Sequence, residues 1–89
     1  MKVNVFDTHV RTRDGRYLHF DVLTPGNDQT LATQYVRDWM AQRGVQDVDI
    51  EQSRCQFCHS EPAHPEVAAA ISNQGYFIIA LEGVFPSRN

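Results

Sequence analysis

The side chains best suited to chemistry gather in one stretch, Cys55-Gln56-Phe57-Cys58-His59-Ser60-Glu61-Pro62-Ala63-His64-Pro65. Two residues separate Cys55 from Cys58. That spacing lets both sulfurs reach one centre about 2.3 Å away, occupied by zinc or iron. His59 and His64 add nitrogen donors, and Glu61 adds a carboxylate. A tetrahedral site built on Cys55, Cys58 and His64 would take His59, Glu61 or the distant His9 as its fourth ligand. The pattern is half of a full zinc signature, because no second CxxC exists. The His59/His64 spacing suits a zinc finger, but the pair begins directly after Cys58. Two chains sharing one metal is a further arrangement.

The same residues admit other chemistries. Cys55 to His59 spells C-x-x-C-H, the attachment motif of c-type haem, which needs an exported chain and thioether bonds. A redox pair is a third reading, but such motifs open a helix whose dipole activates the first thiol. Here a proline-broken segment follows instead. The plainest alternative is that both cysteines are small packing groups.

Asp7 and His9 form a second constellation, two residues apart and so on one face of a strand. A carboxylate beside an imidazole can orient it as a base or a metal ligand. The competing reading is two polar groups near a strand end, bonded to backbone. His19 and Asp21 repeat the pair, and His9 or His19 is a candidate donor to the cysteine segment. No glycine-rich phosphate loop, G-x-S-x-G elbow or H-E-x-x-H motif appears.

The elements that must position these residues follow from periodicity. Val3 to Thr12 and Tyr17 to Thr24 read as strands joined at Arg13-Asp14-Gly15-Arg16, where Asp-Gly favours a two-residue hairpin loop. That loop sets a register with His9 opposite Phe20 and Asp7 opposite Val22. One face then carries Val3, Val5, Leu18, Phe20 and Val22, with Asp7 and His9 among them. Pro25-Gly26 ends the strand, and Asn27 or Asp28 caps a helix. Leu31, Tyr35 and Trp39, beside Ala32, Val36 and Met40, make its apolar stripe. Gly44 ends that helix. Val45 to about Ser53 alternates as a strand with an acidic, solvated face of Asp47, Asp49 and Glu51. The cysteine segment is expected as a loop, since two prolines oppose a helix or central strand. Pro65 opens a second helix with Val67, Ala70 and Ile71 on its apolar face, closed by Gly75. Tyr76 to Glu82 is apolar on both faces. That suggests an interior strand with a helix on each side of the sheet. The tail from Pro86 to Asn89 is expected to fray.

The fold class is therefore α+β. The expectation is one β-β-α-β-α-β domain over residues 1–89, with a four-stranded mixed sheet and two helices.

Composition excludes several functions. Hydrophobic residues make up 42% of the 89-residue chain, too many for a disordered segment. The net charge of -3 and scattered basic residues leave no footprint for nucleic acid. No apolar run approaches the roughly 20 residues that span a bilayer. Met1-Lys2 leads straight into a strand pattern without a signal sequence, which gives a cytoplasmic expectation. That compartment is reducing, so the cysteines are expected as thiols, metal ligands or a redox pair.

Four segments, Val5-Phe6-Asp7-Thr8, His19-Phe20-Asp21-Val22, Cys55-x-Phe57-Cys58-His59-Ser60 and Gly75-Tyr76-Phe77-Ile78, run in order through nearly the whole chain. In them the chain resembles a family of small bacterial proteins classed as a domain of unknown function. The resemblance implies a β-β-α-β-α-β domain and brings no activity, substrate or ligand.

The leading functional expectation is a small cytoplasmic metal-binding, zinc-like or thiol-containing domain with a structural or regulatory role. Its site residues are Cys55, Cys58, His59 and His64, with Glu61 and His9 as reserves. One alternative is a metal-free interaction module, such as a homodimer paired through a sheet edge or the acidic face. Another is an enzyme with Cys58 as nucleophile and His59 or His64 as base. His64 is the better base in a loop, because adjacent residues there point apart.

Overall fold

A computed structural model describes residues 1–82; the tail from Pro86 to Asn89 lies outside the described residues. The elements are β1 (Lys2–Thr12), β2 (Tyr17–Thr24), α1 (Gln29–Gln42), a 3-10 turn (Asp47–Asp49), β3 (Ile50–Pro62), α2 (Pro65–Gln74) and β4 (Phe77–Glu82). The fold is the expected α+β arrangement in the expected order. The strands lie in the order β3-β1-β2-β4.

Every strand pair is antiparallel, where a mixed sheet was expected. The reason lies in strand placement. β2 and β3 run the same way, but β1 sits between them, so they never pair. β4 lands on the far side of β2 rather than in the interior, and is an edge among the described residues. Its apolar side chains divide accordingly. Ile78 packs toward the α1 side and Phe77 toward the α2 side, while Ile79 and Leu81 stay exposed.

The hairpin loop is one residue longer than Asp-Gly suggested. The Thr12 backbone donates to Arg16 at 2.9 Å and that of Gly15 to Thr12 at 3.1 Å. Gly15 takes φ +94°, as a three-residue loop with a bulged glycine requires. His9 consequently faces His19, Asp7 faces Asp21 and Val10 faces Leu18. A one-residue slip moves every side chain to the other face. The corrected core face joins Phe6 and Val10 to Leu18, Phe20 and Val22.

α1 covers that face with Ala32, Val36, Trp39 and Met40. Asp28 caps it, accepting from the Leu31 backbone at 3.1 Å, and Gly44 follows its end at φ +84°. α2 begins at Pro65 and ends at Gly75, and packs Val67 and Ile71 on the opposite face against Val3, Val5 and Leu23. The helices therefore lie on opposite sides of the sheet, as expected. α2 spans only 10 residues and covers one end of its face.

The third strand departs most from expectation. Asp47 and Asp49 lie in the 3-10 turn, where the Asp49 side chain accepts from the Gln46 backbone at 2.9 Å. The strand begins at Ile50 and runs through the cysteine segment expected as a loop. β1 offers a long edge for pairing, and β3 follows it from Ile50 at Thr12 to Pro62 at Lys2. Prolines do not prevent this. Pro62 terminates an edge strand, and Pro65 already belongs to α2.

Candidate metal centre

The corrected register merges the two Asp/His pairs. Asp7 and His9 project from β1, and His19 and Asp21 project from β2 on the same face. They lie beyond the end that α2 covers. The Asp7 carboxylate bridges both imidazoles. Its Oδ1 lies 2.6 Å from His19 Nε2, and its Oδ2 lies 2.8 Å from His9 Nε2. The rings stack, with centroids 4.2 Å apart and planes 13° apart. His9 Nδ1 meets the Tyr17 hydroxyl at 2.5 Å. A carboxylate can only accept, so both Nε2 atoms carry protons here, and His9 Nδ1 accepts from Tyr17.

Side-chain exposure is 39% for Asp7, 33% for His9 and 25% for His19, so the cluster is open to solvent yet ordered by contacts. Burial on its own would raise the Asp7 acid. The His19 and His9 hydrogen bonds and their charge outweigh it and hold the carboxyl below its ordinary value. Asp21 goes the other way, pushed up by burial and then by the Asp7 charge.

Among the described residues, Asp7, His9 and His19 form a group whose donor atoms all lie within 4.8 Å of one another. Two imidazoles and one carboxylate match the donor preferences of zinc and neighbouring first-row divalent ions. The Tyr17 hydroxyl both donates and accepts, so it could hold a proton moved to His9 Nδ1 when Nε2 takes a metal. Beside the cluster, His9, Val10, Arg11, Tyr17, Gln52 and Arg54 line a cleft of about 210 Å³. The Arg11 guanidinium lies 5.6 Å from the Tyr17 ring centroid.

Cys55, Cys58, His59 and His64 do not form such a converging group among the described residues. Cys55 points into the core under α1, where burial pushes its thiol up despite hydrogen bonds with Thr8 and Thr33. Cys58 is exposed, and both cysteines are free thiols. His64 is the N-cap residue of α2. His59 and Glu61 pair at 2.8 Å on the exposed part of β3. His9, held in reserve as a donor to the cysteines, belongs instead with Asp7 and His19. Sequence reading treated His19 as unrelated to Asp7 and overlooked Tyr17. The signal was present. Only the pairing of Val10 with Leu18 gathers Phe6, Val10, Leu18, Phe20 and Val22 on one face and the Asp and His side chains of both strands on the other.

These features define a small α+β domain with one helix on each side of an antiparallel sheet and a carboxylate–imidazole cluster on its partly open face. The chain belongs to the family described as a domain of unknown function (DUF2024), whose model matches residues 1–81. It is similar to protein NE1680 from Nitrosomonas europaea, solved by NMR, at 39% identity and TM-score 0.80. That match covers 96% of this chain and 100% of the other. No curated protein matches the chain. No described helix is long and apolar enough to cross a membrane.

Proposed function

We propose that the protein is a metal-binding domain that holds a divalent ion of the zinc class through Asp7, His9 and His19. The convergence of three donor atoms on an open face of a rigid sheet carries this reading. The two Nε2 protons that bond to Asp7 occupy the space between the donors. A divalent ion would replace those protons, with Tyr17 fixing the His9 ring from behind. Three protein ligands leave at least one coordination position for solvent or a small ligand. Such an opening suits regulated or ligand-dependent binding better than a closed structural site. The proposal assigns the protein to the reducing cytoplasm, in keeping with two free cysteines.

The test is calorimetric titration of zinc into metal-stripped protein. One ion per chain should bind, and His19→Ala or Asp7→Ala should abolish it with the fold intact by circular dichroism. Cys58→Ser should bind as the wild type does. Zinc binding that survives both ligand substitutions and disappears with Cys58→Ser would overturn the assignment.

A second reading has its own observation. The long β3 edge exposes Phe57, 47% accessible, where an added strand from a second chain would cover it. Concentration-dependent mass in light scattering, reduced by Phe57→Glu, is its expected signature. A strict monomer at high concentration excludes the homodimer.

A further inference from the structure

Beyond the metal cluster, β3 carries a second arrangement of reactive groups. The pairing of β1 with β3 shifts register between Val5, opposite His59, and Phe6, opposite Phe57. Cys58 is the extra residue at this bulge. In a regular strand, neighbours point to opposite faces. A bulge sets two residues against one and re-aims a side chain. Here it turns the Cys58 sulfur to within 3.3 Å of His59 Nδ1. The other ring nitrogen, Nε2, lies 2.8 Å from Glu61 Oε1. A carboxylate can only accept, so Nε2 carries a proton and Nδ1 is left with the lone pair. The ring thus stands between thiol and carboxylate, one nitrogen to each. Donors arranged in series do not converge on one ion, but a nucleophile, its base and an orienting group are arranged in this way.

The surroundings restrict the chemistry. Cys58 is exposed at a sheet edge, and none of the described clefts includes it. The suitable reactant is small, soluble and needs no binding pocket. Cys55 is buried under α1 and unavailable as a resolving thiol.

We propose that Cys58 is a thiol-exchange site that takes a low-molecular-weight disulfide and forms a lasting mixed disulfide, with His59 as its base and Glu61 as a positioning residue. His59 Nδ1 accepts the Sγ proton. The Cys58 thiolate attacks one sulfur of the disulfide, forming a new S–S bond as the old one breaks. The departing thiolate takes the proton from His59. One disulfide is consumed and one thiol released, with no net oxidation. The product stays on Cys58 until an external thiol reverses the exchange.

The test uses the full chain, stripped of metal with EDTA, and cystamine as probe. Cystamine-adduct formation is followed by mass spectrometry, with peptide mapping to separate Cys55 from Cys58. A free thiol loses rate about tenfold per unit below its pKa near 8.5. Cys58 should instead keep a flatter profile and, near about pH 6.5, exceed a synthetic peptide of residues 56–62, which contains Cys58 but not Cys55, by about tenfold. His59→Gln should restore the steep profile of the peptide. Glu61→Gln should lower the rate by a smaller factor and shift the profile, a change that loss of packing would not produce. Equal rates and profiles for protein and peptide would overturn the proposal, as would an unchanged rate in His59→Gln. Zinc titration of the same samples keeps this result separate from the fate of the metal cluster.

Discussion

The two faces of the sheet solve opposite problems. Beneath α1, the strands present Phe6, Val10, Leu18, Phe20 and Val22 to a helix that packs along them. Even the polar Thr8 and Thr12 are buried there. On the other face, the shorter α2 packs against Val3, Val5, Leu23 and the half-buried Phe77, and the remaining area carries Asp7, His9, Tyr17 and His19. A helix over that area would strip water from a carboxylate and two imidazoles, at a cost that grows steeply with burial. Left partly open, the groups satisfy one another and remain reachable. One face therefore supplies the rigidity on which the other can hold donor atoms in place.

That contrast can be broken from the packed side first. Phe20 is fully buried, with its ring centroid 4.9 Å from that of Trp39. Phe20→Ala should cost about 3–5 kcal/mol, measured by urea denaturation, and should unfold much of the population. A loss below about 1 kcal/mol would mean that the α1 face is not the principal core. On the second face, Ile71 keeps 7% of its surface exposed on a short helix. Ile71→Ala should cost about 2 kcal/mol, the low end for such a truncation. A larger loss than for Phe20→Ala would reverse the ranking of the two faces.

Smaller effects sharpen the comparison. Tyr17→Phe removes the group behind His9 and should weaken zinc binding by about tenfold, read by competition with a chromophoric chelator. Its stability should change by no more than about 1 kcal/mol. Unaltered affinity would show that Tyr17 does not orient the ring. The smallest effect concerns Cys55. Its thiol is pushed up by burial in the folded protein. Below about pH 8.5 the thiol is neutral in both states and its contribution to stability is complete. Above that value the unfolded chain ionises first, so stability falls as pH rises. Cys55→Ala should remove this part of the alkaline loss, seen as a smaller shift in urea midpoint between neutral and alkaline buffer.

Local signals were legible wherever backbone geometry alone set the outcome. Asp28 capped α1, Gly44 ended it, Pro65 opened α2 and Gly75 closed it. Of the apolar stripes, Ala32, Val36, Trp39, Met40, Val67 and Ile71 are buried, Tyr35 and Ala70 are half-buried, and Leu31 is 45% exposed. β3 was harder to read. Its polar, proline-flanked sequence resembles a loop, and only the unpaired backbone of β1 makes it a strand. The double apolarity of β4 pointed inward, yet its position depends on where α2 delivers the chain.

The candidate site turned on a single residue of register. Residue types and spacing established two strands, each carrying an Asp and a His two positions apart. Whether those pairs lay on one face or on two depended on whether the hairpin loop held two residues or three. Both loops are locally compatible with Arg13-Asp14-Gly15-Arg16. The choice between them came from burying Leu18, Phe20 and Val22 beside Phe6 and Val10 under α1. Likewise, Cys58 and His59 are neighbours in any conformation, but only the bulge against β1 turns them toward each other. Short-range chemistry set the turns and caps. Side-chain direction in the sheet was decided by long-range burial, because a strand has no internal hydrogen bonds to fix its own register.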